Sequence, residues 1–343
     1  MKPLAVVILS DRRPGHYHLA DGVAAAIARR RPVDVRHIDI AKSRVLRGRL
    51  LATLQQAGLP AALALHWGYG LSAAALGKPD LVISAGGDTI AANVAAARLT
   101  GAANIFCGTL RHFPPEAFSL VVSSYERHAG LPRHVVALKP GSFDPDTLAQ
   151  GGMRGLPADG IPRLAGLLVG GTSGLFHYTD EEWRRLAGFV EASHREHGTH
   201  WIVSTSRRSP ALIGDLMAAL ARDPDGPVAR FIDYRTAGPG TLPELLGAVE
   251  AVVCTEDSST MLSEAVCARL PVVGVAPRAH AFKDEEREYR EFMQAQGWCR
   301  SLGLGDLTPA TFLAELGAVH PLRENHLDRL AAQIAEHLPH VFA

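Results

Sequence analysis

Strand-length apolar runs recur along this chain, and between them the apolar positions fall at three- and four-residue spacing. "LAVVIL" (4–9), "VDVRHIDI" (33–40) and "LVIS" (81–84) read as strands, as do shorter runs near 104–107, 119–123 and 135–138. The intervening segments 18–31, 44–57, 60–76 and 89–99 carry the helical period. Residues 141–162, "GSFDPDTLAQGGMRGLPADGIP", break this rhythm with Gly, Pro and Asp and predict a linker. The alternation then restarts. Strands are predicted at 163–171, 199–205, 228–233, 251–255 and 272–275, with helices at 180–197, 210–222, 241–248 and 259–269. Three further helical segments follow at 282–297, 308–316 and 322–338.

Strands alternating with helices predict mostly parallel sheets covered on both faces. The restart predicts an α/β chain of two Rossmann-like, doubly wound domains, residues 1–150 and 160–320, with 321–343 as a helix returning to the first. Two such domains are expected to enclose an interdomain cleft. Ligands of these sheets bind outside the carboxyl ends of the strands, so the loops after each strand are where chemistry is sought.

Composition adds bounds. At 343 residues the chain exceeds what one core usually supports, and 47% hydrophobic with 20% charged residues describes an ordinary globular protein. No signal peptide or membrane-spanning run is evident, which predicts a cytoplasmic protein. Four scattered cysteines, Cys107, Cys254, Cys267 and Cys299, show no metal-ligand spacing and read as reduced, buried thiols. "HREH" (194–197) and the two "DPD" runs (144–146, 223–225) read as a solvated helix face and Pro-containing turns, so no metal site is expected. Net charge is zero, which argues against a nucleic-acid partner. The zero hides a division: residues 1–150 hold 17 Lys/Arg against 10 Asp/Glu, and the rest hold 18 against 25. A basic first half could meet an anionic acceptor or membrane surface, or simply attract the acidic half.

The loops are specific in different degrees. In "SDRRPGHYH" (10–18), Gly15 permits a tight turn that presents His16 near a helix start, with Asp11 close enough to orient it. Such a His suits a general base, although it could equally cap the helix. "GGTSG" (170–174) offers Gly170 and Gly171 for close backbone approach to a phosphate, with the Thr172 and Ser173 hydroxyls as donors. "STSRRSP" (204–210) puts Ser206, Arg207 and Arg208 before a helix, where paired cations oppose the helix dipole and fit a diphosphate better than the fold. Tyr234, in "DYRTAG", could border a nucleobase. "TEDSSTMLSEA" (255–265) supplies Glu256, Asp257, Ser258, Ser259 and Thr260 at a helix start and Glu264 one turn inside. A helix N-terminus prefers an anion, and ~1.5 Å of rise per residue sets Glu264 some 6–9 Å deeper, a separation that suits phosphates on the turn and ribose hydroxyls on the carboxylate.

In this order and at these separations, "SDRRPGH", "GGTSG", "TSRRSP" and "TEDSSTMLSEAVCARLPVV" resemble the bacterial relatives of the plant elongate-mitochondria fission protein. The resemblance is strongest over 163–277 and 6–23. It departs at "SAGGDT" (84–89), "GTLRHFPP" (108–115) and "SSYERHAG" (123–130), where that family usually carries a basic pair, an Asp-Pro-Arg element and a His-Asp element. That family is regarded as similar to glycosyltransferases of the B fold. The resemblance therefore implies a metal-independent transferase, without cofactor, that moves a sugar from a nucleotide-sugar donor to an envelope glycan or lipid-linked acceptor. The second domain would hold the donor. His16, oriented by Asp11, would act on the acceptor, with Arg12, Gly15, Gly86 and Gly87 as acceptor-side positions. The basic run "KSRVLRGRLL" (42–51) would make peripheral contact with the inner membrane surface. A nucleotide-sugar 2-epimerase of the same fold and a non-catalytic fission-type scaffold are the alternatives.

Overall fold

The structure is a computed structural model that describes residues 2–41, 48–148, 155–238 and 240–343. Most of the basic run at 42–51, and residues 149–154 of the predicted linker, lie outside the described residues. The chain divides into two compact units, one formed by Met1–Asp144 with Glu324–Ala343, the other by Pro145–Arg323.

The first unit is built on six parallel strands: β1 (Leu4–Ser10), β2 (Val33–Asp39), β3 (Leu81–Ala85), β4 (Ala103–Cys107), β5 (Leu120–Ser123) and β6 (His134–Val136). They lie in the order β2-β1-β3-β4-β5-β6. Alternation along β1 sends Val6 and Ile8 to one face, where the helices Pro14–Ala28 and His326–His337 cover them, and Val7 and Leu9 to the other. On that second face the helices Gly48–Gln56, Ala61–Tyr69 and Ile90–Thr100 supply Leu51, Leu65 and Val94. The expected single helix over 60–76 is broken, because Gly70 adopts φ +65° and closes the first segment with a left-handed cap.

The second unit repeats the plan. Its strands are β7 (Leu164–Val169), β8 (Phe176–His177), β9 (His200–Thr205), β10 (Val228–Ile232), β11 (Ala251–Thr255), β12 (Val272–Ala276), β13 (Ala279–His280) and β14 (Cys299–Gly303). Six form a parallel sheet in the order β10-β9-β7-β11-β12-β14, and β8 pairs with β13 in a small antiparallel ribbon. Ala165, Leu167 and Val169 face a core rich in Trp183, Phe189, Trp201 and Phe312. On the opposite face Gly166 leaves room for Leu245, since a Cβ there would stand 2.9 Å from its Cδ2. The strand β14 was absent from the sequence expectation. In "CRSLG" only Cys299 is buried, and Arg300 and Ser301 follow it, so it has no continuous apolar signal.

Both units are therefore α/β and doubly wound, and in each the strand order reverses at the first strand. The crevice at such a reversal is where ligands of open α/β sheets bind. In the first unit it falls between the carboxyl ends of β1 and β3, in the second between those of β7 and β11. Among the described residues, no helix is long and apolar enough to cross a membrane.

Candidate functional site

At the first reversal the loop after β1 turns sharply, with Arg12 at φ +64°. The Ser10 hydroxyl accepts from the Arg12 N–H at 3.0 Å, and Asp11 Oδ1 accepts from the Arg13 N–H at 3.1 Å. This brings Asp11 Oδ2 within 2.8 Å of His16 Nδ1. An ionised carboxylate can only accept, so Nδ1 carries the proton and Nε2 is left basic. The Asp11 side chain is 9% exposed and that of His16 30%, a buried orienting group behind an accessible ring. The loop after β3 makes this possible. Gly86 sits at φ +85°, and a Cβ there would stand 2.2 Å from His16 Nδ1, so the imidazole lies against bare backbone.

An open pocket of about 280 Å³ adjoins this pair, lined among others by Arg13, His16, Arg49, Asp88, Arg111 and His112. Arg13 pairs with Asp88 at 3.3 Å, and Arg111 lies beside Gly87. Of the expected acceptor-side positions, Gly86 and Gly87 border His16 and the pocket. Gly15 falls inside the helix Pro14–Ala28, and Arg12 turns to the surface and binds Asp39 Oδ2 at 3.0 Å. Asp88, Arg111 and His112 were not singled out from sequence. They sit in the segments "SAGGDT" and "GTLRHFPP", which carried no recognisable spacing.

At the second reversal one carboxylate ties three loops together. Asp257, whose side chain is fully buried, accepts from the Gly171 N–H at 3.0 Å and from Thr255 Oγ1 at 2.8 Å, and pairs with Arg208. Thr255 Oγ1 also accepts from the Gly170 N–H at 2.6 Å. Burial pushes the Asp257 carboxyl above its ordinary range, opposed by Arg208, the Gly171 N–H and Thr255. Neither glycine tolerates a side chain, because a Cβ at Gly170 would stand 2.1 Å from Asp257 Oδ1 and one at Gly171 would stand 2.0 Å from the Arg208 carbonyl oxygen. The loop after β9 is pinned as well. Ser209 Oγ donates towards the Val169 and Gly170 carbonyls and accepts from the Ser206 N–H at 2.8 Å.

What these loops leave accessible is a polar rim. Thr172 and Arg207 are exposed, and Ser173, Ser206, Ser258, Ser259 and Thr260 are half-buried. Ser258 is the N-cap of the helix Ser259–Cys267 and accepts from the Met261 N–H at 3.4 Å. The Thr260 N–H has no acceptor among the described residues, as expected for a first-turn donor. Tyr234 opens a short helix capped by Asp233, its N–H bonded to Thr205 Oγ1 at 2.9 Å.

The carboxylates of "TEDSST" differ from expectation. Glu256 turns away from the rim: it accepts from Ser301 on β14 and lies 3.6 Å from Arg290, and a Cβ at Gly274 would meet it at 2.4 Å. Asp257 is the internal clasp just described. Glu264, one turn inside the following helix, has 3% of its surface exposed. The polar excess of this turn thus has two uses, with Glu256 and Asp257 holding loops from inside and the hydroxyls and backbone donors facing out.

All four cysteines are buried, and burial pushes the Cys107 and Cys299 thiols up to about 12. Among the described residues no group of three His, Cys, Asp or Glu side chains could hold a metal ion.

The fold has solved counterparts. UDP-GlcNAc 2-epimerase from Methanocaldococcus jannaschii superposes with a TM-score of 0.56 at 12% identity, covering 99% of this chain and 100% of that one. The Neisseria meningitidis UDP-GlcNAc 2-epimerase bound to UDP-GlcNAc gives 0.53 at 13%, covering 99% and 100%. The kitacinnamycin glycotransferase gives 0.50 at 12%, covering 98% and 96%. At such identity the likeness concerns the fold alone, and that fold is the glycosyltransferase B fold. No curated protein matches the chain. Within this fold class, the chain belongs to the mitochondrial fission ELM1 family, whose model matches residues 14–338.

Proposed function

We propose that this protein is a glycosyltransferase that moves a sugar from a nucleoside-diphosphate donor to a hydroxyl of an envelope glycan or glycolipid. The observation that carries the reading is the chemistry each unit places at its own strand-order reversal. One holds a His–Asp pair with a basic Nε2, the other a rim of backbone donors, hydroxyls and arginine. In the proposed reaction Nε2 of His16 takes the acceptor proton as the acceptor oxygen bonds to the anomeric carbon. The bond from that carbon to the diphosphate breaks, and its electron pair leaves on the diphosphate oxygen. Asp11 meets the imidazolium charge, while Arg207, Arg208 and the start of the helix Ser259–Cys267 meet the leaving-group charge, so no bound metal is required. Direct attack inverts the anomeric carbon. Tyr234 flanks the base, and Glu264 takes the ribose hydroxyls.

Thermal unfolding with uridine, guanosine, adenosine and cytidine diphosphates tests the donor half. At ~100 times its dissociation constant the correct nucleotide adds about 2.7 kcal/mol of stability. Arg207→Gln/Arg208→Gln should reduce that gain, and an equal gain in wild type and Glu264→Gln would remove Glu264 from the ribose role. No shift with any diphosphate would leave the scaffold alternative. Interconversion of donor sugars without acceptor would identify a 2-epimerase instead.

A further inference from the structure

The pocket beside His16 is more basic than an uncharged hydroxyl acceptor needs. Resting on the transferase reading above and deepening its acceptor half, we infer that this pocket binds a phosphate group carried by the acceptor. Of its three arginines, Arg13 is answered by Asp88 at 3.3 Å and by Asp11 at 3.8 Å. Arg49 and Arg111 are exposed, and neither has an acidic partner among the described residues. Arg111 lies beside Gly87, where a Cβ would stand 3.5 Å from its Nη1, and the next residue, His112, holds a left-handed φ of +64° that turns the loop.

Two unanswered guanidiniums match the charge of a phosphate monoester dianion better than that of a single carboxylate, and their forks suit its oxygens. The volume, about 280 Å³, falls just under the ~300–1,000 Å³ range of pockets for drug-sized ligands, so it fits a phosphorylated headgroup rather than an extended glycan. Held there, the phosphate would anchor the acceptor next to Nε2. It could belong to a soluble sugar phosphate or to a lipid. The lipid source is worth testing because Leu50, next to Arg49, and Leu63 and Trp67 on the neighbouring helix are exposed large apolar side chains.

The full-length protein would be titrated with glucose 1-phosphate and with glucose, followed by phosphorus NMR and calorimetry. It would also be sedimented with phosphatidylcholine vesicles with and without phosphatidic acid. Binding of either phosphate probe, and not of glucose or pure phosphatidylcholine, is expected. Arg49→Gln and Arg111→Gln should each weaken it by about tenfold. Arg207→Gln/Arg208→Gln should leave it within about twofold while reducing the diphosphate-induced thermal shift. Whichever probe binds with this arginine dependence identifies the source. The inference is overturned if wild type binds neither probe, if Arg49→Gln and Arg111→Gln bind as wild type, or if loss follows Arg207 and Arg208. Should phosphate binding depend on Arg49 and Arg111 while no nucleoside diphosphate stabilises the protein, the pocket stands and the transferase reading falls.

Discussion

Gly171→Ala is the sharpest perturbation of the second unit. The new Cβ would stand 2.0 Å from the Arg208 carbonyl oxygen and must move to about 3.4 Å for ordinary contact, so the loops after β7 and β9 must part by about 1.4 Å. The clash is with backbone, which no rotamer change relieves. Parting the loops stretches the Gly171 N–H bond to Asp257, 3.0 Å in the structure, and loosens Arg208 from the same carboxylate. Overpacking of this kind costs about 1–3 kcal/mol. For a unit the size of 145–323 that lowers the unfolding midpoint by roughly 2–12 °C. Gly174 belongs to the same "GGTSG" run, yet a Cβ there meets nothing within 4 Å. Calorimetry should show Gly174→Ala unfolding with wild type and Gly171→Ala well below it, with its diphosphate-induced shift reduced. Equal midpoints for the two variants would refute the idea that these loops are closed by backbone contact.

Two further outcomes are expected. Gly86→Ala combines a left-handed φ of +85°, which costs a side-chain-bearing residue about 1–2 kcal/mol, with displacement of the His16 ring; its midpoint should fall by several degrees while Gly87→Ala stays near wild type, and parity between them would be contrary evidence. Asp257 titrates above the usual 3.8 when folded, so the folded state holds the proton more tightly than the unfolded chain, and the stability this contributes is lost as pH rises from about 4 through the folded value. Urea unfolding between pH 4 and 7 should therefore show wild type losing ground to Asp257→Asn as pH increases; a gap moving the other way would reverse the assignment.

Strands buried on both faces were legible because they read as unbroken apolar runs, as in "AVVCT" and "VVGV". Edge strand β14 was not, because only Cys299 of its five residues is buried and Arg300 and Ser301 dilute the pattern. Among the site residues, the Asp11–His16 pair could be found from a five-residue spacing after a strand. Its pocket could not, since Arg49 comes from the helix Gly48–Gln56 and Asp88 and Arg111 from two separate loops, segments far apart in the chain. Polar residues after a strand also announce themselves without announcing their direction. Glu256 and Asp257 look alike in sequence, yet both are consumed inside, and only packing against Gly274 and Gly170 reveals it.

The route of the chain through its first unit has a consequence during synthesis. The sheet face carrying Val6, Ile8 and Ile83 is covered in part by Leu327, Leu330 and Ile334, which are translated almost 200 residues after β6. At ~5–20 residues per second, the part of that face which these three residues cover waits on a nascent chain for roughly 10–40 s after the strands have been made. During that interval the second unit is emerging with an apolar interior of its own. The core on that face is therefore completed only when the helix His326–His337 has been made.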